Sequence, residues 1–152
     1  MTNFEKRPIV LPCHNHLLTV RKREAVHIGV ALRRLGVKPT AFITSPLIRA
    51  RRTAELAAAE LDAPVVEDAA LGSGFRYPEL PDLLERHPGD PLVLVGHDPD
   101  LSDLVHRLTG AQVSMPKSGV AAVELPARDA VAGELRWLLR PKQVHALAER
   151  KQ

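Results

Sequence analysis

Apolar residues along this chain alternate between two rhythms. Short apolar runs stop abruptly: Pro8-Ile9-Val10-Leu11 before Pro12, Ala41-Phe42-Ile43-Thr44 before Ser45-Pro46, and Leu92-Val93-Leu94-Val95 before Gly96-His97-Asp98-Pro99. These read as strands, and the unbroken run 92–95 suits a strand covered on both faces. Pro64-Val65-Val66-Glu67 is a shorter strand of the same kind. Between the runs, apolar positions recur at spacings of three and four, the helical period. Ala25, Ile28, Leu32 and Leu35 mark a helix over 19–35, with Thr19 as its cap and Gly36 as its stop. Leu47, Ile48, Ala50 and Leu56 mark a second helix from 47 to about 61, with Ser45 as N-cap and Pro46 in the first turn.

The later chain continues the pattern. Residues 68–78 read as a loop, 79–87 as a short helix and 99–108 as a longer one. The stretches 119–125 and 134–139 read as strands, and Pro141 opens a short C-terminal helix. Strands alternating with helices predict an α/β fold, three layers α/β/α, with a mostly parallel sheet and helices on both faces. No repeat, low-complexity tract or linker divides the chain, so residues 1–152 are expected to form one domain.

Composition narrows the class. Charged residues make up 26% and hydrophobic residues 45%, in the range of a globular domain. The formal charge is +3, but aromatics are only 3%, so there is little on which nucleic-acid bases could stack, and nucleic acid is not an expected partner. Cys13 is the single cysteine, which excludes an internal disulfide and suits a reducing compartment. No signal-like segment or membrane-length apolar run is present, so the expected location is cytoplasmic, with no membrane partner.

Two strand ends carry the candidate chemistry. Arg49 falls in the first turn after the 41–44 strand, and His97 at the end of the 92–95 strand. Open α/β sheets bind ligands outside the carboxyl ends of their strands, where helix N-termini favour anions. An arginine there presents a fork of donors matched to phosphate. Taken alone, Arg49 reads as a solvated side chain on an amphipathic helix and His97 as a turn residue; the pairing of the two strand ends is what points to one shared crevice. Gly96 allows a sharp turn or the close approach of a ligand beside His97.

Together, SPLIRARRTAELAAAEL (45–61) and LVLVGHDPDLSDLV (92–105) resemble the histidine phosphatase superfamily, specifically its SixA-type phosphohistidine phosphatase branch. LLTVRKREAVHIGVALRRLGV (17–37) resembles the family's first helix, and PKSGVAAVEL (116–125) a late segment in which a small residue and glycine precede a strand. The resemblance runs from about Leu18 to Pro141 and implies a phosphoglycerate mutase-like fold. It implies a histidine nucleophile that takes a phosphoryl group and is then hydrolysed, with no cofactor. Carried over by motif, Arg49 and His97 are the second arginine and second histidine of the phosphate site. His14 is the nucleophile and Asn15 stands at the glycine of the Arg-His-Gly motif.

That first motif departs from the family. Pro12-Cys13-His14-Asn15 keeps the histidine but places Cys13 where the family has arginine. Asparagine for glycine is mild, because asparagine tolerates left-handed backbone. A thiol has neither the fixed charge nor the donors of arginine, and losing one preorganised donor typically costs on the order of a hundred- to a thousandfold in rate. Pro12 falls inside what would be an interior strand, and the loop from His14 to Thr19 is shorter than the family's. Arg52, three residues beyond Arg49, and Lys117 in the late loop are the candidates to restore positive charge at the phosphate.

Cys13, His14 and His16 also allow a metal reading, but Cys13 would point away from the two histidines and no second cluster has ligand spacing, so no metal site is expected. His27, His87, His106 and His145 fall on predicted helices or their ends, as ordinary surface or boundary residues. Asp68, Glu79 and Asp82 are the acids of the region from which phosphoglycerate mutase-like members take a proton donor, and none stands out. The SixA branch typically lacks such an acid, which favours phosphohistidine or another activated phosphoryl group. Two functions follow: a SixA-like phosphatase acting on a phosphorylated protein or small phosphorylated molecule, or a catalytically impaired relative that binds phosphate. Oligomeric state is not legible.

Overall fold

A computed structural model describes the protein over residues 9–13, 19–114, 119–127 and 132–150, with side chains from residue 22 onward. Six strands form one sheet in the order β3-β2-β4-β1-β5-β6. They are β1 (Ile9–Cys13), β2 (Ala41–Thr44), β3 (Val65–Glu67), β4 (Leu92–His97), β5 (Val120–Glu124) and β6 (Glu134–Leu139). The pairs β2–β3, β2–β4 and β1–β4 are parallel, while β5 pairs antiparallel with β1 and β6. The helices are α1 (Thr19–Arg34), α2 (Ile48–Ala59), α3 (Leu80–Arg86), α4 (Asp100–Thr109) and α5 (Pro141–Ala148). Among the described residues no helix is long and apolar enough to cross a membrane.

The alternating side chains of the central strands feed two cores, one on each face. Phe42, Val93 and Val95 pack with Ile28 and Leu32 of α1, Ala54 and Ala57 of α2 and Val144 of α5. Ile43, Leu92 and Leu94 pack with Leu80 and Leu83 of α3 and Leu101, Leu104 and Leu108 of α4. The expected three layers are therefore present, with α1, α2 and α5 on one face and α3 and α4 on the other. The face shared by α1 and α2 depends on Gly29. A Cβ there would lie 2.4 Å from the Ala57 carbonyl oxygen and 2.8 Å from Glu60 Cβ.

Helix ends follow local chemistry. Gly36 takes φ +81°, and the bonds Val37 N–H to Leu32 O and Gly36 N–H to Arg33 O close α1 as a Schellman motif. Thr19 is the first residue inside α1 rather than the residue before it. The loop 68–78 contains two short 3-10 turns, Ala69–Leu71 and Tyr77–Glu79.

The strand expected to stop before Pro12 instead runs through it to Cys13. Pairing with β5 covers only Ile9 and Val10, whereas pairing with β4 continues through Pro12–Gly96 to Cys13–His97. At Pro12 the strand is thus paired on one side, an edge-like setting in which a proline is tolerated.

Candidate active site

The carboxyl ends of β2, β4 and β1 lie side by side because these three strands are parallel and adjacent. β4 delivers His97 at its last position, and β1 ends beside it with Cys13 in register. β2 ends at Thr44, after which Ser45 N–H donates to Val95 O and extends the ladder by one bond. Ser45 is fully buried, and its Oγ lies 2.9 Å from His97 Nε2.

Ser45 therefore does more than start a helix. Its Oγ accepts from Leu47 N–H at 3.2 Å, but α2 itself begins at Ile48, with Leu47 as a cap that has no side-chain bond. The expected Ser45 N-cap and Pro46 first turn are shifted by two residues. Ser45 is still held in the strand ladder and bonded to His97, so the helix cannot begin until the chain has cleared that position. Arg49 remains in the first turn of α2 and is half-buried.

Electrostatics links the two candidates. Burial lowers the pKa of His97 below its ordinary value of 6.5; the Asp100 carboxylate opposes this and the Arg49 guanidinium adds to it. His97 is therefore a neutral imidazole at pH 7 that feels a nearby fixed positive charge. Asp100 lies in the first turn of α4, where its Oδ2 accepts from Gly74 N–H at 2.8 Å. The start of α4 is tied down by Asp98, whose Oδ1 accepts from Ser102 N–H at 3.0 Å and Ser102 Oγ at 2.6 Å.

Several expectations change. Gly96 is buried in β4 and has no positive φ; a Cβ there would meet Leu71 O at 3.4 Å and Leu101 at 3.6 Å. Its small size faces Leu71 and Leu101, and it makes no sharp turn. Arg52 is exposed one turn along α2, and its charge is not among those that shift His97. Partial burial raises the pKa of Asp68, but hydrogen bonds from Arg86, His87 and the Ala70 N–H outweigh it and hold the carboxyl at about 2. Asp68 is thus a permanent carboxylate that fixes the Ala69–Leu71 turn to α3, and not a proton donor. Glu79 accepts from Arg76 N–H in the next turn. His87 is 2.7 Å from Asp68 Oδ2, and His106 Nδ1 is 3.0 Å from Ala111 O, so both are structural. His14, Asn15, His16 and Lys117 lie outside the described residues.

Sequence reasoning missed two contributors, Ser45 as the partner of His97 and Asp100 as the acid whose charge reaches it. The only signal for either was position at the carboxyl edge, which becomes visible once strand order is known.

Comparison with known proteins agrees with this geometry. The family model of the histidine phosphatase superfamily (branch 1) matches residues 13–72, which include Ser45 and Arg49. The chain belongs to the histidine phosphatase superfamily. An uncharacterised protein of Picosynechococcus sp. is 38% identical to this superfamily member over 126 residues, 76% of each chain. Among solved structures, the protein histidine phosphatase SixA complexed with tungstate superposes with a TM-score of 0.79 at 18% identity, covering 90% of this chain and 97% of that one. A mycobacterial glucosyl-3-phosphoglycerate phosphatase gives 0.70 at 14% identity, over 89% and 99% of the two chains. Plasmodium falciparum phosphoglycerate mutase gives 0.66 at 18% identity, over 89% and 91%. These likenesses establish the phosphoglycerate mutase-like fold of the superfamily.

Proposed function

We propose that this chain is a SixA-like phosphatase that hydrolyses phosphohistidine or another phosphomonoester through a phosphohistidine intermediate, with His14 as nucleophile and Arg49 and His97 as the phosphate clamp. One observation carries the reading. His97, bonded to Ser45 and sensing Arg49, stands in register with Cys13, where β1 hands the chain on toward residue 14.

The reaction takes two displacements. A ring nitrogen of His14 attacks phosphorus, the phosphorus–nitrogen or phosphorus–oxygen bond to the substrate breaks, and the leaving group takes a proton. Water then attacks the phosphohistidine, the new bond to His14 breaks, and inorganic phosphate leaves. Both steps concentrate negative charge on the equatorial oxygens, and positioning plus cationic stabilisation supplies most of the catalysis. His97, neutral by itself at pH 7, would donate to one oxygen once a phosphate dianion beside it draws the proton onto the ring, and Arg49 would donate to two. Asp68 is held ionised, which removes one candidate acid for protonating a poor leaving group and is in keeping with phosphohistidine and other activated substrates. Asn15 would sit against the phosphate through its backbone, and Arg52 or Lys117 would restore part of the charge missing at Cys13.

Cys13 in the arginine position favours the second reading, a phosphate-binding relative with little turnover. The experiment is hydrolysis of para-nitrophenyl phosphate and of a phosphohistidine protein by wild type, His14→Ala, Arg49→Ala and His97→Ala. Turnover abolished by His14→Ala supports the enzyme. Measurable phosphate binding without turnover in the wild type supports the binding protein. Unchanged phosphate affinity in Arg52→Ala and Lys117→Ala would remove those two residues from the site.

A further inference from the structure

The histidines expected to be ordinary surface residues are not all independent. His27 of α1 meets His145 of α5 edge to face, with ring centroids 4.9 Å apart and an interplanar angle of 61°. Their Nδ1 atoms face each other at 3.4 Å. Glu149, the residue that caps α5, places Oε2 3.0 Å from His27 Nε2. One ligand atom from each of the three residues lies within 4.8 Å of the others.

We propose that His27, His145 and Glu149 form a zinc-binding site that clamps α5 onto α1. Two imidazoles and a carboxylate are a donor set that suits zinc, which binds them at about 2.0–2.2 Å in tetrahedral geometry. Two ligands on such an ion at the tetrahedral angle stand about 3.4 Å apart. The Nδ1–Nδ1 separation already has this value.

Glu149 sets up the lone pair. By accepting from His27 Nε2–H it leaves His27 Nδ1 bare and directed at His145, whose own Nδ1–H fills the gap. A zinc ion takes the place of that proton between the rings, and His145 carries it on Nε2 instead, so both imidazoles bind the ion as neutral ligands. Glu149 then either bonds the ion or stays on His27 Nε2 as the carboxylate that orients a metal-bound imidazole. Solvent fills the rest of the tetrahedral shell, one molecule in the first arrangement and two in the second.

The platform is rigid and accessible. Val144, next to His145, is buried in the core against α1, and Arg34 of α1 donates to the Leu147 and Arg150 carbonyls at the end of α5. The His27 side chain is 12% exposed, whereas that of Glu149 is 59% exposed and free to adjust. A cleft of about 340 Å³ lined by His27, His145 and Glu24 opens on the pair and gives a hydrated ion a path in.

The test is titration of the metal-free full-length chain with zinc chloride by calorimetry, alongside thermal melts with and without zinc. The expected result is one equivalent bound and a raised melting temperature. His145→Ala, on an exposed position that should fold normally, is expected to lose at least about tenfold in affinity and the thermal shift, and Glu149→Gln about tenfold. His16→Ala, which damages the rival Cys13/His14/His16 cluster, is expected to bind as wild type does. Absence of saturable binding, undiminished binding in His145→Ala, or loss of binding in His16→Ala would each overturn the proposal.

Discussion

Ser45 Oγ lies 2.9 Å from His97 Nε2, a side-chain bond that joins the carboxyl ends of β2 and β4. It orients the imidazole from below, on the side away from solvent, and it ties the candidate histidine to the segment that carries Arg49. Ser45→Ala removes the bond without adding bulk. Sulfate affinity is expected to fall roughly threefold to tenfold, the worth of one net hydrogen bond, in a calorimetric titration. An unchanged affinity would separate Ser45 from anion binding.

Anion binding should also depend on pH. His97 has its pKa lowered by burial, with Asp100 opposing and Arg49 adding to the shift, so the ring gains its proton only below its ordinary 6.5. A dianion prefers the protonated ring. Sulfate, which keeps its charge over this range, is expected to bind about tenfold more tightly as pH falls through the pKa of His97. His97→Gln should flatten the profile, and a titration that stays steep in that variant would point to another group.

Acid stability should report Asp68. Its folded pKa of about 2 lies below the ordinary 3.8, so it contributes stability that is full above 3.8 and lost as pH falls toward 2. Asp68→Asn is expected to lack that step in acid-unfolding curves followed by circular dichroism. At neutral pH, Asp68→Ala should cost about 2 kcal/mol, since it removes both a turn cap and the ion pair to Arg86.

Two glycines should behave oppositely. Gly29→Ala drives a Cβ into the Ala57 carbonyl and should destabilise by about 1–3 kcal/mol or more, despite alanine's better helix propensity. Gly96→Ala meets only ordinary contact distances and should cost under about 1 kcal/mol. Paired urea melts check both. Equal effects would mean that α1 and α2 can separate more easily than their packing suggests.

The layered fold was legible because each element carried its own period. The apolar run 92–95 and the spacing of Ala25, Ile28 and Leu32 needed no partner to be read. The placement of Arg49 and His97 was legible for a related reason: His97 ends one strand and Arg49 opens the helix after another, and strand ends in a parallel sheet share one edge. What escaped were relationships between elements. The Ser45–His97 bond depends on β2 lying beside β4. The approach of His27 to His145 spans 118 residues and depends on α5 returning to α1. Pro12 was misjudged because the strand's one-sided pairing at that point is set by where β5 starts.

The position of β1 has a further consequence, for assembly. Ile9 pairs with Val93 on one side and Ala122 on the other, so the strand earliest in the sequence joins partners made much later. Without it the sheet is two separate pieces, β3-β2-β4 and β5-β6. During synthesis β1 is made first, and its place between the two pieces is completed only when β5 and β6 have followed. Its pairings are the most distant in sequence within the sheet, so they carry the largest loop-closure cost. The strand that reaches His97 is then also the one that unites the sheet.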